Sequence, residues 1–261
     1  STPKQFPLTL AGFVWRENSS LIGNLNLVPI RGSGERAYLI ANVAVHPDHR
    51  RKGIARALTD AAISYLTEKQ VTWCWLQVDD DNQPAINLYE QSGFSEQART
   101  TTWQCDPPTA KLALSTNSEN IVNSPTVQDW EKQQAWLNQT YPQNMAWHIP
   151  LNYDLLKPGL QGAINRLISD KQINQWAARG PEKLLGVLSR QSSSSQADKL
   201  WLAASPENDD AAIELLIPHA RRSHPRKRTL ALEFPSNRAV VALTKAGFYN
   251  HQTLIWMRRS L

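Results

Sequence analysis

The sequence predicts an α/β protein built as two tandem units, each a mixed sheet dressed with helices. Three observations carry that prediction. An apolar strand around Val43-Ala44-Val45 runs into a basic, glycine-bearing turn that opens a helix. About thirty residues on, within the reach of one βαβ unit, a second strand-like run is followed by the helical segment Asn82-Gln83-Pro84-Ala85-Ile86-Asn87-Leu88-Tyr89 and by Gly93-Phe94. The same order of elements then returns in the second half and again ends on Gly-Phe, at Gly247-Phe248.

Residues 8–16 and 21–28 read as a β-hairpin about the polar turn Glu17-Asn18-Ser19-Ser20, because Asn24, Leu25, Asn26 and Leu27 alternate with the period of a strand. Arg31-Gly32-Ser33-Gly34 breaks the chain before a strand at 38–45. From Ile54 the apolar residues Leu58, Ala62 and Tyr65, with Ala61 and Ile63 beside them, recur at helical spacing and form a core-facing stripe. A strand at 73–78, a helix at 84–92 and a closing strand at 95–105 complete the unit. Asp106-Pro107-Pro108 ends it, and the Ser- and Asn-rich stretch 115–124 reads as a linker. The expected division is therefore a first domain at 1–108, a linker at 109–126 and a second domain at 127–261.

In the second domain Asp129 starts a helix at 130–137, residues 141–150 are irregular and aromatic, and 160–167 is helical. Strands at 183–190 and 199–204, a helix at 211–222, a strand at 229–234, a helix at 238–246 and a last strand at 253–258 repeat the earlier order. Placing Gly247-Phe248 on Gly93-Phe94 sets Ala239 on Ala85 and Leu243 on Tyr89. The basic turn has no counterpart. Its place is taken by Pro206-Glu207-Asn208-Asp209-Asp210, whose carboxylates suit a helix N-terminus but repel an anion.

That basic turn has the chemistry of an anion cradle. Arg50, Gly53 and Ala55 stand in the spacing Arg-x-x-Gly-x-Ala, so small residues let the backbone approach a ligand with its amide groups free. The helix beginning near Ile54 adds its positive dipole end, and Arg50, Arg51 and Lys52 add three cations. A pyrophosphate is the natural guest. The two segments, 50–55 and 82–94, together resemble the acetyl-coenzyme A site of the GNAT N-acetyltransferase superfamily, over roughly residues 8–103.

The resemblance implies two GNAT-like folds in tandem, the second degenerate, and an acyltransferase that moves acetyl from acetyl-coenzyme A to an amine acceptor by direct attack in a ternary complex. It assigns the pyrophosphate to Arg50, Arg51, Lys52, Gly53, Ile54 and Ala55, and the pantetheine arm to Asn82, Ala85 and Leu88. The strand backbone at Val43 and Val45 faces the thioester, with the N–H near Val43 as oxyanion donor. Tyr89 lies where the family's thiolate-protonating tyrosine stands, and a phenol with a pKa of about 10 can donate that proton. The ribosomal-protein alanine acetyltransferases of the family place a glutamate where this chain has Gln77, and Asn42 is neutral where some relatives carry an acid. The general base is therefore not given, and a protein N-terminus and a small amine both stay open as acceptors. The family's opening strand and two helices find no room before Leu8, so the first copy is abbreviated or the chain starts partway into a longer protein. The alternative function is a non-catalytic acetyl-coenzyme A sensor or interaction protein.

Other features bound the reading. The net charge of +5 favours an anionic ligand without demanding nucleic acid. Cys74 and Cys105 show no paired or metal-ligand spacing, and the six histidines show no i, i+4 pair, so neither a disulfide framework nor a zinc site is expected. With no apolar run of about 20 residues and no signal-peptide core, the expected setting is soluble and cytoplasmic. Homo-oligomers are left open, since an abbreviated fold can borrow a wall. The run Arg221 to Arg228 reads as a solvated loop without interleaved aromatics. Most of the ten tryptophans are expected in cores, with Trp147 and Tyr141 as a further candidate lining for the acceptor.

Overall fold

The computed structural model describes residues 11–31, 35–107, 121–149, 151–193, 197–223 and 228–261. The start of the expected hairpin at 8–10 and most of the expected linker lie outside them. The chain divides into two compact units, one of residues up to Arg99 together with Leu254–Leu261, the other Thr100–Thr253.

In the first unit β1 (Ala11–Glu17), β2 (Ser20–Ile30) and β3 (Ala37–Val45) form an antiparallel meander. Helix α1 (Ile54–Glu68) crosses to β4 (Trp73–Asp79), which lies parallel to β3, and α2 (Gln83–Gln91) follows. The helix stripe differs from the expected one. Ile54, Leu58, Ala62, Ile63 and Leu66 are buried and Tyr65 is only half-buried at its flank, where its ring meets Phe13 edge-on at 5.9 Å. The shared core joins Leu25, Leu27, Ile40, Cys74, Leu76 and Val78 to Ile86, Tyr89 and Phe94. Burial pushes the Cys74 thiol up to about 12, and both cysteines are free.

The second unit contains β6 (Ile121–Asn123), α3 (Trp130–Thr140), α4 (Tyr153–Leu156), α5 (Gly159–Ile168), β7 (Ile173–Arg179), β8 (Leu184–Gln191), β9 (Ala197–Ala204), α6 (Asp209–Ser223), β10 (Thr229–Pro235) and α7 (Val240–Lys245). Its strands run β10-β9-β8-β7-β6, with β10 parallel to β9. The repeat holds atom for atom at the helix ends. Phe94 N–H donates to the Tyr89 carbonyl and Phe248 N–H to the Leu243 carbonyl, both at 3.0 Å, and Gly93 and Gly247 share φ of +80° and +87°.

The two closing strands depart from the expected 1–108 and 127–261 division. β5 (Ser95–Cys105) leaves the first unit after Arg99, and its residues Thr100 to Cys105 pair antiparallel with β10. β11 (Tyr249–Ser260) makes the reciprocal move: Leu254 to Ser260 pair antiparallel with β4, from Leu254 opposite Asp79 to Ser260 opposite Trp73. Ile255 and Met257, each 1% exposed, thereby enter the core that holds Tyr89. Each unit is completed by a strand encoded in the other half of the sequence.

Among the described residues no helix is long and apolar enough to cross a membrane. Of the basic run, Arg221 donates to the Ala246 carbonyl, while Arg228 pairs with the buried Asp198 at 2.9 Å and donates to the Ser193 carbonyl. Those two cations serve the fold, and residues 224–227 lie outside the described ones.

Candidate functional site

The strand that should face a thioester is broken in a specific way. Its ladder with β4 runs from Ala37 opposite Trp73 to Ile40 opposite Leu76 and ends there, so Ala41 to Val45 leave β4 on that side. At the same point the register with β2 shifts between Asn24 and Asn26, and Asn42 takes a left-handed backbone with φ of +53°. A β-bulge bends its strand and re-aims the backbone. Asn24 Nδ2 fixes the bulge by donating to the Asn42 carbonyl at 2.7 Å. The result is two parallel strands that part halfway along.

The basic turn stands beyond the end of β3. Pro47–His49 forms one helical turn, with His49 N–H bonded to the His46 carbonyl at 2.9 Å. Arg50 Nε reaches back to the Val45 carbonyl at 3.2 Å, and His49 Nδ1 lies 3.3 Å from Glu17, tying the turn to the hairpin. Arg51 and Gly53 then adopt left-handed backbones, with φ of +61° and +81°. Nothing lies within 4 Å of where a Gly53 Cβ would be. Helix α1 starts on Gly53 without a side-chain cap and without an acidic residue in its first turn, so its leading N–H groups face outward with the dipole behind them.

Helix α1 is seated by a close approach. A Cβ added to Gly23 would come within 3.2 Å of Ile54 Cγ2, 3.3 Å of Leu58 Cδ1 and 3.1 Å of the Ala44 carbonyl. Gly23→Val is therefore expected to destabilise the protein by about 1–3 kcal/mol through overpacking, read as a lower midpoint in urea. A midpoint equal to the parent's would show that α1 has slack over β2.

The second motif lies on α2. Asn82 caps it, its side chain accepting from Ala85 N–H at 3.3 Å, and Pro84 stands in the first turn. Tyr89 is 6% exposed, meets Phe94 edge-on at 6.1 Å, and burial raises its phenol above the ordinary value. Ile54 and Tyr89 share one core, and Val43, Val45, Ala85 and Leu88 pack against it. Arg50, Arg51, Lys52, Gly53 and Asn82 are exposed and Ala55 is half-buried. Sequence reasoning did not single out Arg56, which joins α1 to α2 through Gln91, or the Asn24 support of the bulge. Glu35 accepts from the Trp73 indole at the other end of the β3–β4 ladder, and the neutral Gln77 is exposed on β4 just beyond the end that faces the site. Among the described residues no group of three or more His, Cys, Asp or Glu is placed to hold a metal ion.

Residues 5–94 match the model of the acetyltransferase (GNAT) family. The first unit thus carries a GNAT-family segment. It is 46% identical over 55 residues to the [ribosomal protein bS18]-alanine N-acetyltransferase of Escherichia coli K12, which covers 21% of this chain and 37% of that protein. It is 36% identical over 62 residues to the mycothiol acetyltransferase of Geodermatophilus obscurus, 24% of this chain and 20% of that one. The chain thus spans little more than a third of the first of these relatives and a fifth of the second. Its fold is shared with a tandem GNAT protein from the clavulanic acid biosynthesis pathway, at a TM-score of 0.51 and 17% identity, over 97% of this chain and 84% of that one.

The second unit repeats the fold without the basic turn. Its helical turn Pro206–Asn208 leads directly into α6 at Asp209, so the residues that would form a cradle are missing. Arg238, expected in a helix at 238–246, stands outside the shorter α7 because it grips Asp209 in a bidentate pair at 2.7 and 2.8 Å. The ladder between β9 and β10 ends at Leu200 opposite Leu232, and Tyr141 closes the space beyond. Its hydroxyl donates to the Glu233 carbonyl at 2.9 Å and accepts from Leu202 N–H, and its ring meets Trp201 edge-on at 5.4 Å. Tyr141, read as acceptor lining, is instead a buried plug between two strands.

Proposed function

We propose that this GNAT protein is an acetyl-coenzyme A-dependent N-acetyltransferase whose first unit carries the site, with one coenzyme bound per chain. The observation that carries the reading is the pairing of an uncapped helix N-terminus on a left-handed glycine with two parallel strands that part at the bulge at Asn42. A pyrophosphate fits the outward N–H groups of α1 and the cations Arg50, Arg51 and Lys52. A narrow arm fits between the parting strands, along Val43, Val45, Asn82, Ala85 and Leu88.

Bound acetyl-coenzyme A supplies an activated acyl group. The chain's part is to hold the amine and the acyl carbon together, to donate the N–H near Val43 to the developing oxyanion, and to manage two protons. The Tyr89 hydroxyl gives a proton to the departing thiolate sulfur, and the tyrosinate recovers one from the attacking nitrogen, so the phenol ends as it began. Gln77 and Asn42 cannot accept a proton at neutral pH. The acceptor is therefore an amine that arrives neutral or loses its proton through water. The name of the Escherichia coli relative is consistent with an amine acceptor on a protein.

The test is calorimetric titration with acetyl-coenzyme A, followed by release of free thiol with a panel of an alanine-initiated peptide, spermidine, glucosamine and tryptamine. One equivalent bound and turnover on one class of amine support the reading. Two equivalents would reopen the second copy. Binding without turnover favours a coenzyme-binding sensor, the reading that the neutral Gln77 supports.

Tyr89→Phe is expected to lower kcat by roughly 10–100-fold with the KM for acetyl-coenzyme A held within about twofold. Because burial raises the Tyr89 phenol, its acid form persists past the ordinary value. The parent's rate should fall on this account only above about pH 10, the unperturbed tyrosine value, and a limb below neutral pH would belong to another group.

A further inference from the structure

We propose that Arg259, carried by the last strand of the chain, is the positioning residue that fixes the helix bearing Tyr89; this rests on the catalytic reading of Tyr89 given above. Arg259 Nη1 donates to the Ser92 carbonyl, and Ser92 is the C-terminal cap of α2. The guanidinium also covers the following turn, since a Cβ on Gly93 would lie 3.5 Å from Arg259 Cζ and Nη1. Helix α2 has nine residues and no basic side chain in its last turn, so Arg259 supplies the cation that its negative end calls for.

The clamp reaches Tyr89 through the backbone. Ser92 N–H and Phe94 N–H both donate to the Tyr89 carbonyl at 3.0 Å, so the residue that carries the phenol is part of the cap that Arg259 grips. From the same strand Ile255 and Met257 enter the core cluster that also holds Tyr89, whose ring Phe94 meets edge-on. One strand thus grips the helix cap and lines the core into which the phenol is packed. A phenol that must meet a thiolate within hydrogen-bond reach needs that restraint, because a shift of about 1 Å can cost on the order of a hundredfold in rate.

The second unit provides an internal control. There Arg221 Nη1 donates to the Ala246 carbonyl at 3.0 Å, at the C-terminal cap of α7, and lies 3.1 Å from where a Gly247 Cβ would be. The grip is the same, but it comes from α6, and the helix carries the buried Leu243 where α2 carries Tyr89. A clamp that only stabilises would behave alike at both sites.

The experiment compares full-length Arg259→Gln, Arg259→Lys and Arg221→Gln, with Arg259→Gln also made in the Tyr89→Phe background. Amide hydrogen exchange over residues 86–91 is read alongside thiol release with the most reactive amine of the panel. Arg259→Gln is expected to speed exchange in α2 and lower kcat roughly tenfold, with the KM for acetyl-coenzyme A unchanged. Arg259→Lys, which keeps the charge, should recover part of the rate, and Arg221→Gln should leave kcat at the parent value. In the Tyr89→Phe background Arg259→Gln should cost less than about twofold further, because coupled residues are not additive. Unchanged exchange in α2, or a full tenfold loss in the Tyr89→Phe background, overturns the proposal. If the parent acetylates no amine, the catalytic reading fails, whereas the exchange result still decides whether Arg259 holds the helix.

Discussion

Gly53→Glu is expected to abolish binding of acetyl-coenzyme A while leaving the protein folded. The position has open space where a Cβ would stand, so the larger side chain displaces no packed atom. Its carboxylate would instead project where, in the proposed reading, the α1 N–H groups and the Arg50 and Lys52 side chains gather an anion. Two like unit charges about 4 Å apart repel by roughly 4 kcal/mol at the effective dielectric of a protein surface, nearly three orders of magnitude in Kd.

Gly53→Ala separates that repulsion from backbone strain. Both variants force an L-residue into φ of +81°, which costs of order 1–3 kcal/mol and should lower the thermal midpoint of both alike. Only the glutamate adds charge. Calorimetric titration should therefore show the alanine variant binding within about tenfold of the parent at equal strain, with heats from the glutamate variant at the level of dilution. Equal losses in the two variants would mean that the shape of the turn matters and the helix terminus does not hold the phosphates.

The turn was legible in the sequence because its requirements are local. A left-handed residue wants glycine, a helix start without an acid can be read off five letters, and Asn82 three residues before Ala85 is a cap at its ordinary spacing. Gly247-Phe248 revealed the repeat for the same reason. The bulge at Asn42 was not legible, since it follows from how two strands align and from an asparagine eighteen residues away. Nor was the plug in the second copy: Tyr141 closes that space through bonds to Glu233 and Leu202, and only the fold brings those residues to it. Arg238 carried a misleading signal. It precedes a helical pattern, but the buried Asp209 holds it out of the helix.

The exchanged strands were the least legible, and they lead to the second large effect. Removing residues 254–261 is expected to unfold the first unit, although those residues close the second half of the sequence. The deletion takes Ile255 and Met257 out of the core around Tyr89. Truncating one such residue to alanine costs about 2–5 kcal/mol, and two exhaust much of the 5–15 kcal/mol that holds a domain together. It also strips the ladder from Leu254 opposite Asp79 to Ser260 opposite Trp73, leaving β4 with an open apolar edge prone to association. Residues 1–108 alone, the expected first domain, lack the same strand and should fare no better. Near-ultraviolet circular dichroism and limited proteolysis between residues 11 and 99 read the outcome. A truncated chain that stays protease-resistant and still binds acetyl-coenzyme A would show that the first unit closes on its own β5. Loss of both would give the second copy a function that needs no ligand: the half of the protein without the basic turn supplies the strand on which the site of the other half is built.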